Sequence, residues 1–250
     1  MPQDHLALAA DPLREPDPPA LAGLNGRQRQ AVRHRRSHLL IVAGAGTGKT
    51  KTLVSRLVSL VDEGVDPSRI LLLTFTRRAA SEMLLRVESA CEPTVGRAAA
   101  QIWGGTFHAV ANRLLRRYGS AAGLAEGFTV LDHGDAIDLF ALVRSEEGFG
   151  ERGNRFPRPE TIAAIYSRMV NSHAPLVDVL TVDFPWCAEH ADDLRTVFSA
   201  YTAKKRQCNV LDYDDLLLYW RGLTASPIGE ALRCLFDHIL IDEYQDTNAI

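Results

Sequence analysis

Long apolar runs are what this chain most clearly lacks. Nowhere in its 250 residues does an uninterrupted apolar stretch approach the roughly 18 residues of a membrane-spanning helix. Met1–Ala20 carries acids and prolines where a leader would have a basic start and an apolar centre, so a soluble, unexported, cytoplasmic protein is expected. Cysteine is scarce too. The four present (Cys91, Cys187, Cys208, Cys234) are widely spaced with no C-x-x-C pair, which argues against a zinc site or a disulfide framework and suits a reducing compartment. Lysine is rarer than its partner: only four of the 28 basic residues are Lys, a bias from which no function is inferred. No internal repeat is evident. Apolar residues, by contrast, make up 46% of the chain, enough for a full core and too many for general disorder.

The net charge of −3 hides an asymmetry: residues 1–120 hold 17 Lys or Arg against 10 Asp or Glu, and residues 121–250 hold 11 against 21. The basic first half is the side on which to look for polyanions, although charges that merely solvate each half would give the same balance.

Residues 1–20, with five prolines and no periodicity, read as a flexible tail. Leu24-Asn25-Gly26 looks like a cap leading into a helix over 27–34, followed by a basic cluster at Arg33, Arg35 and Arg36. Leu39–Val42 has the length and apolarity of a buried parallel strand. Leu53, Val54, Leu57, Val58 and Val61 then repeat at helical spacing, Ile70–Phe75 reads as a second strand, and Ala79, Ala80, Met83, Leu84 and Val87 mark a second helix. This alternation predicts an α/β fold, a parallel sheet covered by helices, with ligands at the carboxyl ends of the strands. After a further amphipathic helix over 106–118 the texture changes. Segments 132–147, 159–171 and 188–207 read as helices, 148–159 and 172–186 as turn-rich connections, and no strand pattern stands out. The simplest account is an all-helical insertion over 119–207 between two parts of one α/β domain, 21–118 and 208–250. The second part opens with a helix over 211–220 and supplies the strand His238–Ile241.

Two motifs carry the chemistry. In Ala43-Gly44-Ala45-Gly46-Thr47-Gly48-Lys49-Thr50, the glycines let the backbone curl so that its N–H groups face phosphate oxygens at a helix N-terminus. Lys49 would place a point charge on the outer phosphates, and Thr50 would offer a hydroxyl to Mg²⁺. A glycine-rich turn with an incidental Lys-Thr is the bland alternative, and Ala43 stands where the general pattern has its first glycine. Far downstream, the apolar run Ile239-Leu240-Ile241 ends in Asp242-Glu243, whose side chains should diverge at a strand end. Asp242 is assigned to Mg²⁺ and Glu243 to orienting and deprotonating the attacking water; an ordinary acidic loop is the alternative. A phosphate loop alone implies triphosphate binding, and the added acidic pair implies hydrolysis.

Asp242-Glu243-Tyr244-Gln245-Asp246-Thr247-Asn248 resembles motif II of the UvrD/Rep family of superfamily 1 DNA helicases, and the order of the other segments agrees. Leu24-Asn25-Gly26-Arg27-Gln28 resembles the family's Q motif, and Ala43–Thr50 its motif I. Thr74-Phe75-Thr76-Arg77-Arg78-Ala79-Ala80 is similar to motif Ia, Gly105-Thr106-Phe107-His108-Ala109 to motif Ib, and Leu211–Leu217 to the block preceding motif II. The resemblance implies a RecA-like P-loop NTPase domain with a helical insertion, using ATP and Mg²⁺ and moving 3′ to 5′ on single-stranded DNA. Lys49, Glu243 and Gln245 would be catalytic. Gln28 would read the adenine edge, and Ala43, Gly44, Ala45, Gly46, Thr47, Gly48, Lys49, Thr50 and Lys51 would hold the nucleotide, with Thr50 and Asp242 on the metal. Thr74, Phe75, Thr76, Arg77, Arg78, Thr106, Phe107 and His108 would meet DNA. On pattern alone, Phe75 and Phe107 could equally be core residues and His108 a structural one.

Three departures stand out. Arg77-Arg78 replaces the family's usual Asn-Lys, Lys51 replaces an Arg, and motifs III to VI are absent from the 250 residues. A second RecA-like domain is therefore the expected partner, and these residues alone should hydrolyse ATP poorly and unwind nothing. The competing reading is a non-catalytic module that binds nucleotide and DNA or docks on a partner. A transport ATPase would need a signature helix that is not found, and a small-molecule kinase is hard to reconcile with Asp242–Asp246.

Overall fold

The computed structural model describes residues 18–35, 37–91, 99–150 and 156–247. Most of the expected tail, with Arg36, Asn248 and part of the 148–159 connection, lies outside these residues. The chain divides into two compact units, one of residues up to Ile70 with Ser81–Ile102, the other of Leu71–Ala80 with everything from Trp103 onward.

In the first unit, α1 (Gly26–Arg33) starts where the sequence placed its cap. Asn25 accepts from the Gln28 backbone N–H while the Gln28 side chain accepts from Asn25, a reciprocal capping box. Helix α2 (Lys49–Asp62) buries Val54, Leu57, Val58 and Val61, the stripe its spacing predicts. The two helices are tied by Arg56, which donates to the carbonyl of Ala31, and by a two-pronged Arg35–Glu63 pair with Ser59 bridging.

The predicted strand at Leu39–Val42 does not form. The segment has no ladder partner among the described residues, and Leu40 and Val42 are 67% and 87% exposed. A strand is made by its neighbour as much as by its own sequence, and the described residues of this unit offer no sheet to join.

The second unit is built on a three-stranded sheet in the order β2 (Trp103–Thr106), β1 (Ile70–Thr74), β5 (His238–Ile241), with β1 and β2 parallel from Leu71↔Trp103 to Thr74↔Thr106. β1 is buried along its whole length, as a strand covered on both faces must be. Helices α4 (Phe107–Tyr118) and α9 (Tyr213–Ala225) share a core with Leu71, Leu73, Val110, Leu114, Leu115, Leu216 and Leu223. The fold is α/β with a parallel sheet flanked by helices, as expected. Strand β2 was not anticipated, because Gly104-Gly105 has poor strand propensity.

The described residues of 133–208 form four α-helices, α5 (His133–Glu146), α6 (Pro159–Ser172), α7 (Leu176–Asp183) and α8 (Ala191–Cys208). They have their own core, in which Phe140 stacks on Tyr201 at 3.7 Å and Tyr166 meets Phe198 edge-on at 5.2 Å. Two expectations are corrected here. Helix α7 lies inside a stretch read as turns, because Pro175 and Pro185 look like breakers; Pro175 in fact stands at the helix start, where its missing N–H costs nothing. A strand also exists where none was seen: β3 (Thr129–Val130) pairs in parallel with β4 (Val210–Leu211), too short to show a period. Leu211 thereby belongs to a strand, and the following helix begins at Tyr213. A five-residue helix, α10 (Gly229–Arg233), completes the unit before β5.

Candidate functional site

In the first unit, the segment 43–50 forms a loop whose backbone favours glycine at two points. Gly46 and Gly48 have φ of 73° and 88°, and a Cβ on Gly48 would come within 2.8 Å of Gln28 Nε2. Helix α2 begins at Lys49 with no side-chain cap, so its first N–H groups are left for another acceptor. Thr50 lies in that first turn. The chemistry of a phosphate fits: uncapped N–H donors, a helix dipole and one ammonium group. Lys49 Nζ donates to the carbonyl of Ala43 at 3.0 Å and reaches that of Gly44 at 3.5 Å, so the lysine folds over the loop rather than pairing with a carboxylate. Thr47 closes the turn, its hydroxyl donating to Gly44 O at 2.7 Å; Ala45 sits exposed between them. Gln28, expected at the adenine edge, donates Nε2 to Thr47 O at 3.0 Å and so abuts the loop. Lys51 Nζ donates to Gly23 O at 2.8 Å, which ties the loop's exit to the segment before α1.

In the second unit, the acidic motif leaves the sheet abruptly. Asp242 N–H still donates to Leu73 O at 2.9 Å, the last bond of the ladder. Glu243 then adopts φ 51° and ψ 48°, one of three non-glycine residues in the left-handed region among those described. The two carboxylates therefore part company through a left-handed residue, not through the strand alternation that the sequence suggested. Such a conformation costs about 1–2 kcal/mol and is found where the side chain's placement matters. Gln245, in the turn that follows, donates Nε2 to Glu243 Oε2.

The segments resembling motifs Ia and Ib come together at the ends of β1 and β2. Phe75 is 42% exposed and its ring lies 5.6 Å from that of half-buried Phe107. Thr76 and Thr106 each cap the helix that follows, their hydroxyls accepting from Ala79 N and Ala109 N. Thr74 is buried and gives its hydroxyl to Thr76 O at 2.8 Å, so it shapes the loop from beneath. Arg77 and Arg78 are exposed in the first turn of α3 (Arg77–Ala90). His108 meets Tyr213 edge-on at 5.6 Å, and burial holds its imidazole below the ordinary value despite the opposing charge of Asp214. Phe75, Phe107, His108 and Tyr213 thus supply two aromatic contacts beside two exposed arginines. Tyr213 was not assigned a role from sequence, although it lies in the block Leu211–Leu217; its 43% exposure next to His108 is the added signal.

Lys204-Lys205-Arg206 reads from sequence as a solvated helix end, and the structure corrects this for Lys205. Lys205 is 2% exposed, and its Nζ lies 2.6 Å from both Asp212 Oδ2 and Asp215 Oδ2 and 4.5 Å over the Tyr201 ring. Tyr201 OH donates to Asp212 at 2.9 Å. The two aspartates also form the capping box of α9, so the lysine neutralises the pair that starts the helix bearing Tyr213. Burial alone would push the Lys205 ammonium down, but the two carboxylates override it and hold it above the ordinary lysine value. Lys204 pairs with Glu146 at 2.9 Å.

No described helix is long and apolar enough to cross a membrane. A family model for the UvrD/REP helicase N-terminal domain matches residues 24–250. ATP-dependent DNA helicase PcrA of Leuconostoc citreum is 37% identical over 232 residues, which cover 90% of this chain and 29% of that protein. ATP-dependent DNA helicase UvrD1 of Mycobacterium tuberculosis (strain ATCC 25618 / H37Rv) is 37% identical over 254 residues, 98% of this chain and 31% of the relative. PcrA of Staphylococcus aureus (strain Mu50 / ATCC 700699) is 34% identical over 228 residues. The chain thus spans about three-tenths of the length of the curated relatives it matches.

Proposed function

Since the chain belongs to the UvrD/REP helicase family through its N-terminal domain, we propose that it is the ATP-binding motor half of a 3′-to-5′ DNA helicase, with a single-stranded DNA track on its second unit. The observation that carries the nucleotide half is the uncapped start of α2 behind a loop that favours glycine at positions 46 and 48. Residues 43–51 hold the phosphates and Gln28 reads the base. The family resemblance assigns Thr50 and Asp242 to Mg²⁺, which would neutralise charge on the outer phosphates. Glu243 orients water and accepts its proton, and the carboxamide of Gln245 fixes the Glu243 carboxylate through the hydrogen bond between them. On the second unit, Phe75 and Tyr213 offer faces on which bases stack, while Arg77 and Arg78 meet phosphates. His108, kept neutral by burial, contributes a hydrogen bond and not a charge.

Residues 119–207 act as a helical accessory insertion. The chain on either side of helices α5–α8 is pinned together, Thr129 N–H donating to Asn209 O at 3.1 Å and Leu131 N–H to Leu211 O at 2.8 Å. Without motifs III to VI, hydrolysis by the 250 residues is slow, since an arginine supplied to the transferring phosphoryl group is worth about 10³–10⁵ in rate in related P-loop enzymes.

The test is steady-state ATP hydrolysis by the 250-residue chain with and without a single-stranded oligonucleotide, beside Glu243→Gln, with nucleotide binding measured for the chain and for Lys49→Ala. Binding that Lys49→Ala abolishes, with turnover barely above the Glu243→Gln control, is expected. Nucleotide binding that is insensitive to Lys49 overturns the assignment of the loop.

A further inference from the structure

Helix α4 starts in the proposed DNA track and ends in an arginine face to which no role has been given. Arg113, Arg116 and Arg117 fall at i, i+3 and i+4, so their Cβ atoms share one side of the helix at spacings of about 5–6 Å. All three are exposed. Among the described residues none has a carboxylate at ion-pair distance. Each is instead stacked on an aromatic ring. The Arg113 guanidinium lies 3.5 Å over Trp103, which Phe236 backs edge-on at 5.3 Å. Arg116 lies 4.5 Å over Phe128 and donates one N–H to the Phe128 carbonyl at 3.2 Å, while Arg117 lies 5.3 Å over Tyr118.

The helix dipole explains cations in the last turn, where Arg116 and Arg117 sit, but not the mid-helix Arg113 flattened on a tryptophan. A guanidinium held by its face keeps the N–H edges available and has already lost much of its rotamer freedom, which favours two-pronged donation to an oxyanion. Three such groups in a row, with no anion of their own, match a repeating anion better than a single one. The geometry points to this face as a second contact for the phosphodiester backbone of DNA, on the same helix as Phe107 and His108. The inference rests on the DNA-binding reading above.

The experiment is fluorescence anisotropy of a labelled single strand and of a labelled duplex across a salt series, using the 250-residue chain, Arg113→Gln/Arg116→Gln/Arg117→Gln together, and Phe75→Ala. Each lost phosphate contact lowers the slope of log affinity against log salt by about 0.7 on single strands and about 0.9 on duplex. The triple variant is therefore expected to lose about 2 from the slope if a single strand runs over the face, or about 2.7 if a duplex does, whereas Phe75→Ala weakens binding with the slope unchanged. If the triple variant melts early, Arg117→Gln alone, at the least engaged of the three, carries the test with a loss of about 0.7. Slopes equal to the unaltered chain on both substrates, with Phe75→Ala still weakened, overturn this face and leave the DNA reading standing. Absence of DNA binding by the unaltered chain overturns both.

Discussion

Replacing Lys205 by methionine tests whether the helical segment and α9 are held by a buried charge cluster. Methionine preserves most of the side-chain volume, so the change removes a charge more than it opens a cavity. What remains is Asp212 and Asp215, 6% and 8% exposed, sharing one capping box with no cation. Removing one member of a buried pair typically costs about 3–5 kcal/mol, which for a domain of this size lowers the melting temperature by roughly 6–20 °C. The pH dependence separates this cause from a packing defect. In the intact chain Lys205 is held above its ordinary value, so its contribution is complete below about pH 10 and constant from pH 5 to 8. Asp215 is already pushed above the usual carboxylate range, chiefly by burial and then by Asp212. In Lys205→Met that upward push grows, the folded state binds more protons than the unfolded one, and the deficit should shrink as pH falls from 8 towards 5. Thermal unfolding by circular dichroism at several pH values, with Lys205→Met/Asp215→Asn as the compensated variant, reads both effects. A melting temperature within about 2 °C of the intact chain at pH 7, or a deficit that does not move with pH, would refute the argument.

Gly48→Ala should weaken nucleotide binding by tenfold or more in a titration, because the new Cβ meets Gln28 Nε2 at 2.8 Å and φ is 88°. Glu243→Gly should raise stability by about 1 kcal/mol in urea unfolding, since glycine accepts φ 51° freely, while abolishing turnover; a loss of stability would show that Glu243 is not strained. Phe75→Ala and Tyr213→Ala should each cost about 1–3 kcal/mol of single-strand affinity by anisotropy, as lost base stacking does. His108 is depressed by burial, so single-strand affinity should show no step from its titration between pH 6.5 and 8, and its contribution to stability should fall away only below about pH 6.5.

What was legible in the sequence is what depends on near neighbours. The cap at Asn25, the helix start at Asp132 and the apolar stripe of α2 lie within a few residues of their causes. The glycines of the phosphate loop were equally readable, because a left-handed backbone leaves its mark at the residue that adopts it. Leu39–Val42 failed for the opposite reason: its pattern was that of a strand, but a ladder needs a neighbour, and none of the described residues pairs with it.

The same distance hid the features that give the candidate sites their character. Nothing near Lys205 in sequence says that it is buried, since its carboxylates arrive through the reversal at Asn209, whose φ of 53° ends α8 and returns the chain to β4. Nor does Arg113 announce a tryptophan beneath it, because Trp103 belongs to a strand that its two glycines concealed. In both cases the residue type was visible and its environment was not, and the environment decides what a cation does. Paired with two aspartates it starts a helix; laid on a ring with no anion at hand, it keeps its donors for something else.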